Sequence, residues 1–351
     1  MSAGAIVVAV LAFALLVVIH EAGHAVAARL SGMRVERFSV GFGPVLARFR
    51  RGETEYALSA LPLGGYVKIA GMAPGDEEAA ADPRSFTNRP AWQRFLVIAA
   101  GPGMNYLLAI GLAAALAATV GFAVPDPSAS VGQIVPGYPA EEAGLADGDR
   151  VLSVAGTPVS TWDDLVAEIQ RRPGQAVSLE VERAEGEATR RLTLTLVPRA
   201  DGGVGRAGFQ MHLLRERHPG LGAIALGVAQ THGTAARTLS ALAAIFSREK
   251  GAPRLHGPLR IGEEMARAAQ RGGESLVHIL FSLSVALALF NLLPFPGLDG
   301  GRLVFLAYEI VARRRANERI ESILHAIGIA ALLLLLLGVT LFGDLPGLLR
   351  R

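Results

Sequence analysis

His20, Glu21 and His24 are the residues of this chain whose types and spacing could do chemistry. Two histidines at i and i+4 share one helical face, close enough to hold one Zn²⁺. The glutamate between them can act as a base toward a water that the metal activates. The placement says more than the motif. It closes an almost uninterrupted apolar run, residues 3–19. With the motif itself, that run approaches the roughly 20 residues needed to cross a bilayer. A charged group at mid-membrane costs about 2.5–3.5 kcal/mol on insertion scales, so an intramembrane His-Glu-His cluster reads as functional. So short a pattern also arises by chance, and that is the alternative.

A catalytic zinc normally takes three protein ligands and leaves one position open. The third should come from another intramembrane polar group on the same side. The stretch Asn291-Leu292-Leu293-Pro294-Phe295-Pro296-Gly297-Leu298-Asp299-Gly300-Gly301 offers one, with Asp299 its only acid. Non-helical backbone at membrane depth is tolerated only where it is buried in protein or lines a watery cavity. The alternative for Asp299 is a cap on a helix over 301–312.

The elements that must position these groups follow from composition. Of 351 residues, 51% are hydrophobic, and the mean hydropathy is +0.38, too high for an ordinary soluble domain. There is no cysteine, so disulfides and cysteine-ligated metals are excluded. The net charge is only +3, and the basic residues cluster beside apolar segments. That suits membrane topology better than nucleic-acid binding. Four segments are long and apolar enough to cross: Ala3–Leu30, 95–124, 276–293 and 323–342. The first lacks a basic leader, and the motif follows where cleavage would occur, so it reads as a retained span rather than a signal peptide. The arginine-rich connections 31–94 and 294–322 should be cytoplasmic, leaving the N-terminus and the long middle region outside; Arg350 and Arg351 run against that trend.

Leu221–Phe246 is a fifth candidate, but Gln230, Thr234 and Arg237 fall on one face, as in a helix lying in the interface. If it crossed, Asp299 would lie across the membrane from His20 and His24, so it reads as peripheral. The acidic stretch 76–82 reads as solvated. Residues 131–198 change character, with short alternating runs at 177–181 and 192–196 and an amphipathic helix at 161–171. The string from Gly144 to Gly156, approached by Pro139 to Leu145, resembles the turn-then-strand signature of PDZ domains, which bind extended peptides or protein termini at an open sheet edge. A small β-rich domain without a ligand is the alternative.

Taken together, His20-Glu21-Ala22-Gly23-His24 and Asn291…Asp299-Gly300, separated by a PDZ-like segment, resemble the site-2 protease family in its bacterial RseP-type branch of intramembrane zinc metalloproteases. The resemblance extends to Gly41-Phe42-Gly43-Pro44, Leu61-Pro62-Leu63-Gly64-Gly65-Tyr66-Val67-Lys68 and Gly101-Pro102-Gly103-Met104-Asn105. It implies an α-helical polytopic membrane protein with four transmembrane helices, a re-entrant β-like element and an inserted α+β PDZ domain. The divisions expected are a first membrane half (1–124), the PDZ domain (129–199), a peripheral amphipathic region (206–274) and a second membrane half (275–351). It implies Zn²⁺ on His20, His24 and Asp299, Glu21 as catalytic acid/base, and Asn291, Pro294, Pro296, Gly64 and Gly65 helping to position substrate. Strand-like residues 56–69 could pair with an unwound substrate, although an ordinary hairpin is the plainer reading.

The implied substrates are transmembrane segments of single-span proteins, such as anti-sigma factors or signal-peptide remnants, in the bacterial inner membrane. Some family members carry two PDZ domains in tandem and this chain has one, which puts a double-domain size filter in doubt. Two other classes compete: a membrane-anchored PDZ adaptor with a vestigial metal site, and a metal-ion transporter. An intact Glu21 argues against the first, and spans nearly free of other acids and histidines against the second. His232, His256, His278 and His325 lack ligand spacing and receive no role. Gly101, Gly103 and Gly111 are expected to allow close helix packing.

Overall fold

The computed structural model describes residues 2–72, 81–186, 188–247 and 257–346. His256, Arg350, Arg351 and most of the acidic stretch 76–82 lie outside them. The chain divides into two compact units, one made of Met1–Ala118 with Pro219–Arg351 and the other of Thr119–His218.

Among the described residues of the first unit, four helices are long and apolar enough to cross a membrane: α1 (Ala3–Leu30), α2 (Ala91–Thr119), α7 (Gly273–Leu292) and the segment Glu318–Asp344. The last comprises α9 (Glu318–Gly338) and a π-helical turn, Val339–Asp344. Between them lie α5 (Leu221–Phe246), α6 (Pro258–Arg271) and α8 (Asp299–Ala312). Apolar composition makes the crossing helices, and polar groups set their ends. The Ser2 hydroxyl caps α1 by accepting the Ala5 N–H at 3.3 Å, and the Asn317 side chain caps α9. Packing runs through small residues. A Cβ on Gly23 would fall onto the Ala100 carbonyl of α2. Ala5, Ala9 and Leu16 of α1 pack with Met265 and Ala266 of α6 and Leu280 of α7.

α5 lies against α2, where a Cβ on Gly227 would come 2.8 Å from the Ile110 carbonyl. The expected second span through residue 124 is too long. α2 stops at Thr119, and Gly121, at φ +84°, turns the chain into extended structure. The expected role of Gly103 and Gly111 in packing is also corrected, because a Cβ on either would meet nothing within 4 Å.

Residues 35–69 form a long hairpin from β1 (Val35–Arg51) and β2 (Thr54–Ile69) that folds back on itself. Val35–Val40 runs beside Gly65–Ile69 and again beside Glu55–Leu58, and Val45–Arg51 covers the far side of Thr54–Ser59. Gly41 and Gly43, both at positive φ, make the fold-back. Gly65–Ile69 is therefore an outer segment, paired with Val35–Val40 alone among the described strands.

The second unit opens and closes on one ladder, β3 (Phe122–Pro125) with β12 (Leu213–Glu216). Inside it, β5 (Arg150–Val154), β6 (Thr157–Pro158), β7 (Val177–Glu185) and β8 (Ala188–Leu196) form a sheet in the order β6-β5-β7-β8. The helix α4 (Trp162–Gln170) starts at a capping box formed by Thr161 and Asp164. Its Leu165 and Ile169 pack into a core with Val151, Leu179 and Val181. The fully buried Asp149 receives two Arg183 hydrogen bonds at 2.7 Å and the Ala146 N–H at 2.8 Å, tying the turn before β5 to β7.

Candidate metal centre

His20 and His24 sit ten and six residues before the end of α1, one helical turn apart. Their Nε2 atoms are 3.2 Å from each other. Asp299 Oδ2 lies 3.1 Å from His20 Nε2 and 3.3 Å from His24 Nε2. Three donor atoms thus form a nearly equilateral triangle, assembled from residues 279 positions apart. It is the one group of three or more His, Cys, Asp or Glu among the described residues arranged to hold a metal.

The neighbouring residues explain why the rings face inward. His24 Nδ1–H donates to the Val97 carbonyl at 2.8 Å, which leaves Nε2 with its lone pair toward the triangle. Pro102 lies inside α2 and removes the N–H that would bond the Ile98 carbonyl, loosening the helix beside Val97. Gly101 makes the room. A Cβ there would fall onto His24 Nε2 and lie 2.9 Å from His20 Nε2. Asn105 is fully buried, with Nδ2 3.4 Å from His20 Nδ1 and Oδ1 without a partner. Exchanging the two ends of that amide gives the orphan oxygen the His20 N–H and holds this ring, too, with Nε2 free.

Asp299 is the first residue of α8, and its N-cap is Leu298, which makes no side-chain cap bond. The helix-cap alternative is corrected accordingly, since the carboxylate turns to the histidines. The expected helix start at 301 moves back to Asp299. A cleft of about 250 Å³ opens on the triangle, lined by His20, Glu21, His24, Tyr66, Val67, Asn291 and Asp299 among others. A Cβ on Gly65 would come 2.7 Å from the Ser39 carbonyl of the paired strand, so this ladder needs glycine there, while 3.7 Å to Glu21 Cγ would be ordinary contact and places the outer hairpin segment beside the glutamate. The Cβ position of Gly64 is taken by the Phe42 ring. Asn291 donates to the Leu287 carbonyl at 3.0 Å at the end of α7. Pro294 and Pro296 are not among the cleft residues, and the Pro296 carbonyl packs on Gly328 of α9.

The profile of peptidase family M50, the site-2 protease family, matches residues 8–335. The chain belongs to that family. A provisionally named zinc metalloprotease of Clostridium perfringens is 34% identical over 337 residues, covering 96% of this chain and 97% of the relative. One from Rhizobium meliloti is 35% identical over 350 residues, covering 92% and 91%. One from Nostoc is 34% identical over 349 residues, covering 96% and 94%. The protein is a multi-pass membrane zinc metalloprotease, and neither the adaptor nor the transporter reading stands.

The donor set fits zinc. At Zn–N and Zn–O distances of 2.0–2.2 Å, tetrahedral ligands stand about 3.3–3.6 Å apart, and the three edges here, 3.1, 3.3 and 3.2 Å, lie at or just under the short end of that range. Two imidazole lone pairs and a carboxylate oxygen facing one another this closely repel unless positive charge sits among them.

Proposed function

We propose that the protein is an intramembrane endopeptidase that cuts transmembrane segments of single-span membrane proteins. In this reading His20, His24 and Asp299 hold the zinc and Glu21 is the catalytic acid/base. What carries it is the donor triangle at the inner end of an apolar 28-residue helix, with Glu21 on the same cleft. When bound, zinc supplies Lewis acidity, acidifying a water molecule and polarising the scissile carbonyl. Glu21 takes the proton from the attacking water and delivers it to the leaving amine.

A helical substrate hides its carbonyls and must be unwound locally. The outer segment Gly65–Ile69 pairs with no described strand besides Val35–Val40 and passes beside Glu21, so an extended substrate strand can add there with its scissile bond at the cleft. Gly65 lets that segment pair with Ser39, Gly64 accommodates Phe42, Asn291 lines the same cleft, and Pro294 and Pro296 are proposed to help position substrate from the adjoining turn. The hairpin exposes Phe42, Val45, Leu46 and Phe49, as expected of an element that re-enters the membrane.

The proposed location is the bacterial inner membrane, with the arginine-rich connections cytoplasmic and Thr119–His218 outside. The turn-then-strand motif around Asp149, with the sheet and α4, supports a PDZ domain there, gating or recruiting substrates by their termini. The substrates proposed are trimmed anti-sigma factors or signal-peptide remnants, in regulated intramembrane proteolysis. Purified zinc-loaded protein incubated with a single-span substrate in detergent tests this. Cleavage inside the apolar segment is expected, and cleavage confined to soluble loops would refute it.

A further inference from the structure

The loop that leads into Asp299 is held from a helix that contributes nothing to the cleft. The Gly297 N–H donates to Nδ1 of His325, on α9, at 2.9 Å. One helical turn further, a Cβ on Gly328 would fall onto the Pro296 carbonyl. Gly328 is the one buried residue of α9 among the described residues, and most of that helix is exposed within the chain. Beside the ring contact of His325 with Phe305 of α8, α9 thus meets the Pro296–Gly297 backbone, three and two residues before Asp299. Gly297 has φ +96°, a conformation that favours glycine and needs outside support to be held singly.

We infer that His325 is a positioning residue for the metal centre. It fixes the Pro296–Leu298 turn, and so the start of α8, in the one place where the Asp299 carboxylate completes the triangle. The chemistry is specific. Nδ1 accepts the Gly297 N–H, so a neutral ring carries its hydrogen on Nε2. That Nε2 is buried and has no partner among the described residues, which leaves Nδ1 as the atom that acts. Without this acceptor the Gly297 N–H is unsatisfied and the turn is free to relax, carrying Asp299 with it. Loss of a direct hydrogen-bond partner of a metal ligand typically lowers metal affinity or activity about 10–100-fold, and His325 acts on Asp299 one step further out, through the turn.

The inference rests on Asp299 being a zinc ligand, and the test separates the two. Asparagine places its Oδ1 where histidine has Nδ1, whereas glutamine reaches the position of Nε2. Full-length His325→Asn, His325→Gln, His325→Ala and Asp299→Asn proteins would be purified in detergent. Each would be checked for helicity and thermal unfolding, loaded with Zn²⁺, and followed for metal loss to a chelator and for kcat on a transmembrane reporter. His325→Asn should match the parent. His325→Gln and His325→Ala should lose zinc at least about 10-fold faster, with kcat falling by a similar factor. Gly328→Val, which pushes the same turn from its other contact, should behave like His325→Ala. If His325→Ala does not fold, the comparison of asparagine with glutamine still decides. Parent-like zinc retention in His325→Gln, or rescue by glutamine but not asparagine, overturns the inference. Zinc retained by Asp299→Asn would sink the ligand assignment itself. Zinc lost by Asp299→Asn but kept by His325→Gln would sink the positioning role alone.

Discussion

Glu21 and Asp299 carry the same functional group and are proposed to play different roles, so neutral amides at the two positions should separate. Glu21→Gln should reduce cleavage at least about 10²-fold, since general acid–base catalysis contributes that much, while zinc stays bound. Asp299→Asn should lose zinc and activity together, because a neutral amide is a poor ligand for Zn²⁺. Metal analysis beside a cleavage assay checks both, and a zinc-replete, active Asp299→Asn protein would leave Asp299 outside the metal centre. Gly101→Ala makes a third case. Its Cβ would fall onto His24 Nε2, so zinc should be lost from a protein whose helices remain intact. The histidine spacing and the lone acid in a Pro/Gly stretch were legible in the chain. The Val97 carbonyl and the Gly297 N–H were not, because a backbone partner leaves no mark on residue type. Asn105 was visible as an amide inside a span, and only its closeness to His20 gives it meaning.

At the scale of elements, hydropathy locates the crossing helices because an apolar run near 20 residues has few other uses. It misplaces the end of α2, since Phe122–Pro125 is as apolar as the span before it. Its β12 partner lies some 90 residues on, beyond any local pattern. Residues 56–69 of the hairpin were readable as strand, but its fold-back needs Gly41 and Gly43 at positive φ, and glycine identity alone does not report φ. The Asp149–Arg183 pair holds the turn before β5 to β7. Removing one partner of a fully buried ion pair costs about 3–5 kcal/mol, and here Arg183, 29% exposed, keeps some solvent, so the loss should fall below that. Asp149→Ala should therefore loosen the Thr119–His218 unit, seen as faster hydrogen exchange across β5 and β7 in the full-length protein. Unchanged exchange there would show that the pair is dispensable.

For the whole molecule, side and selectivity can be tested separately. The chain has no native cysteine, so labelling starts from a clean background. A cysteine introduced at Asp201 should react with an impermeant reagent in intact cells, and one at Arg314 should not; the reverse pattern contradicts the proposed topology. Pro125 and Leu213 are ladder partners, so residues 126–212 can be replaced by a two-residue turn that closes the β3–β12 hairpin. The proposed zinc donors all belong to the other unit. The shortened protein should keep its metal and accept substrates with bulky external domains that the full chain rejects. Loss of cleavage for every substrate would make the unit a recruiter instead. The central claim, proteolysis within a membrane-spanning segment by this zinc centre, is tested most directly by locating the cut. Zinc-loaded protein and its Glu21→Gln variant would each be incubated with a single-span substrate, and the product ends read by mass spectrometry. The expected result is a new terminus inside the apolar segment with the parent protein and none with Glu21→Gln. A terminus in the flanking polar sequence, or the same product from Glu21→Gln, would contradict it.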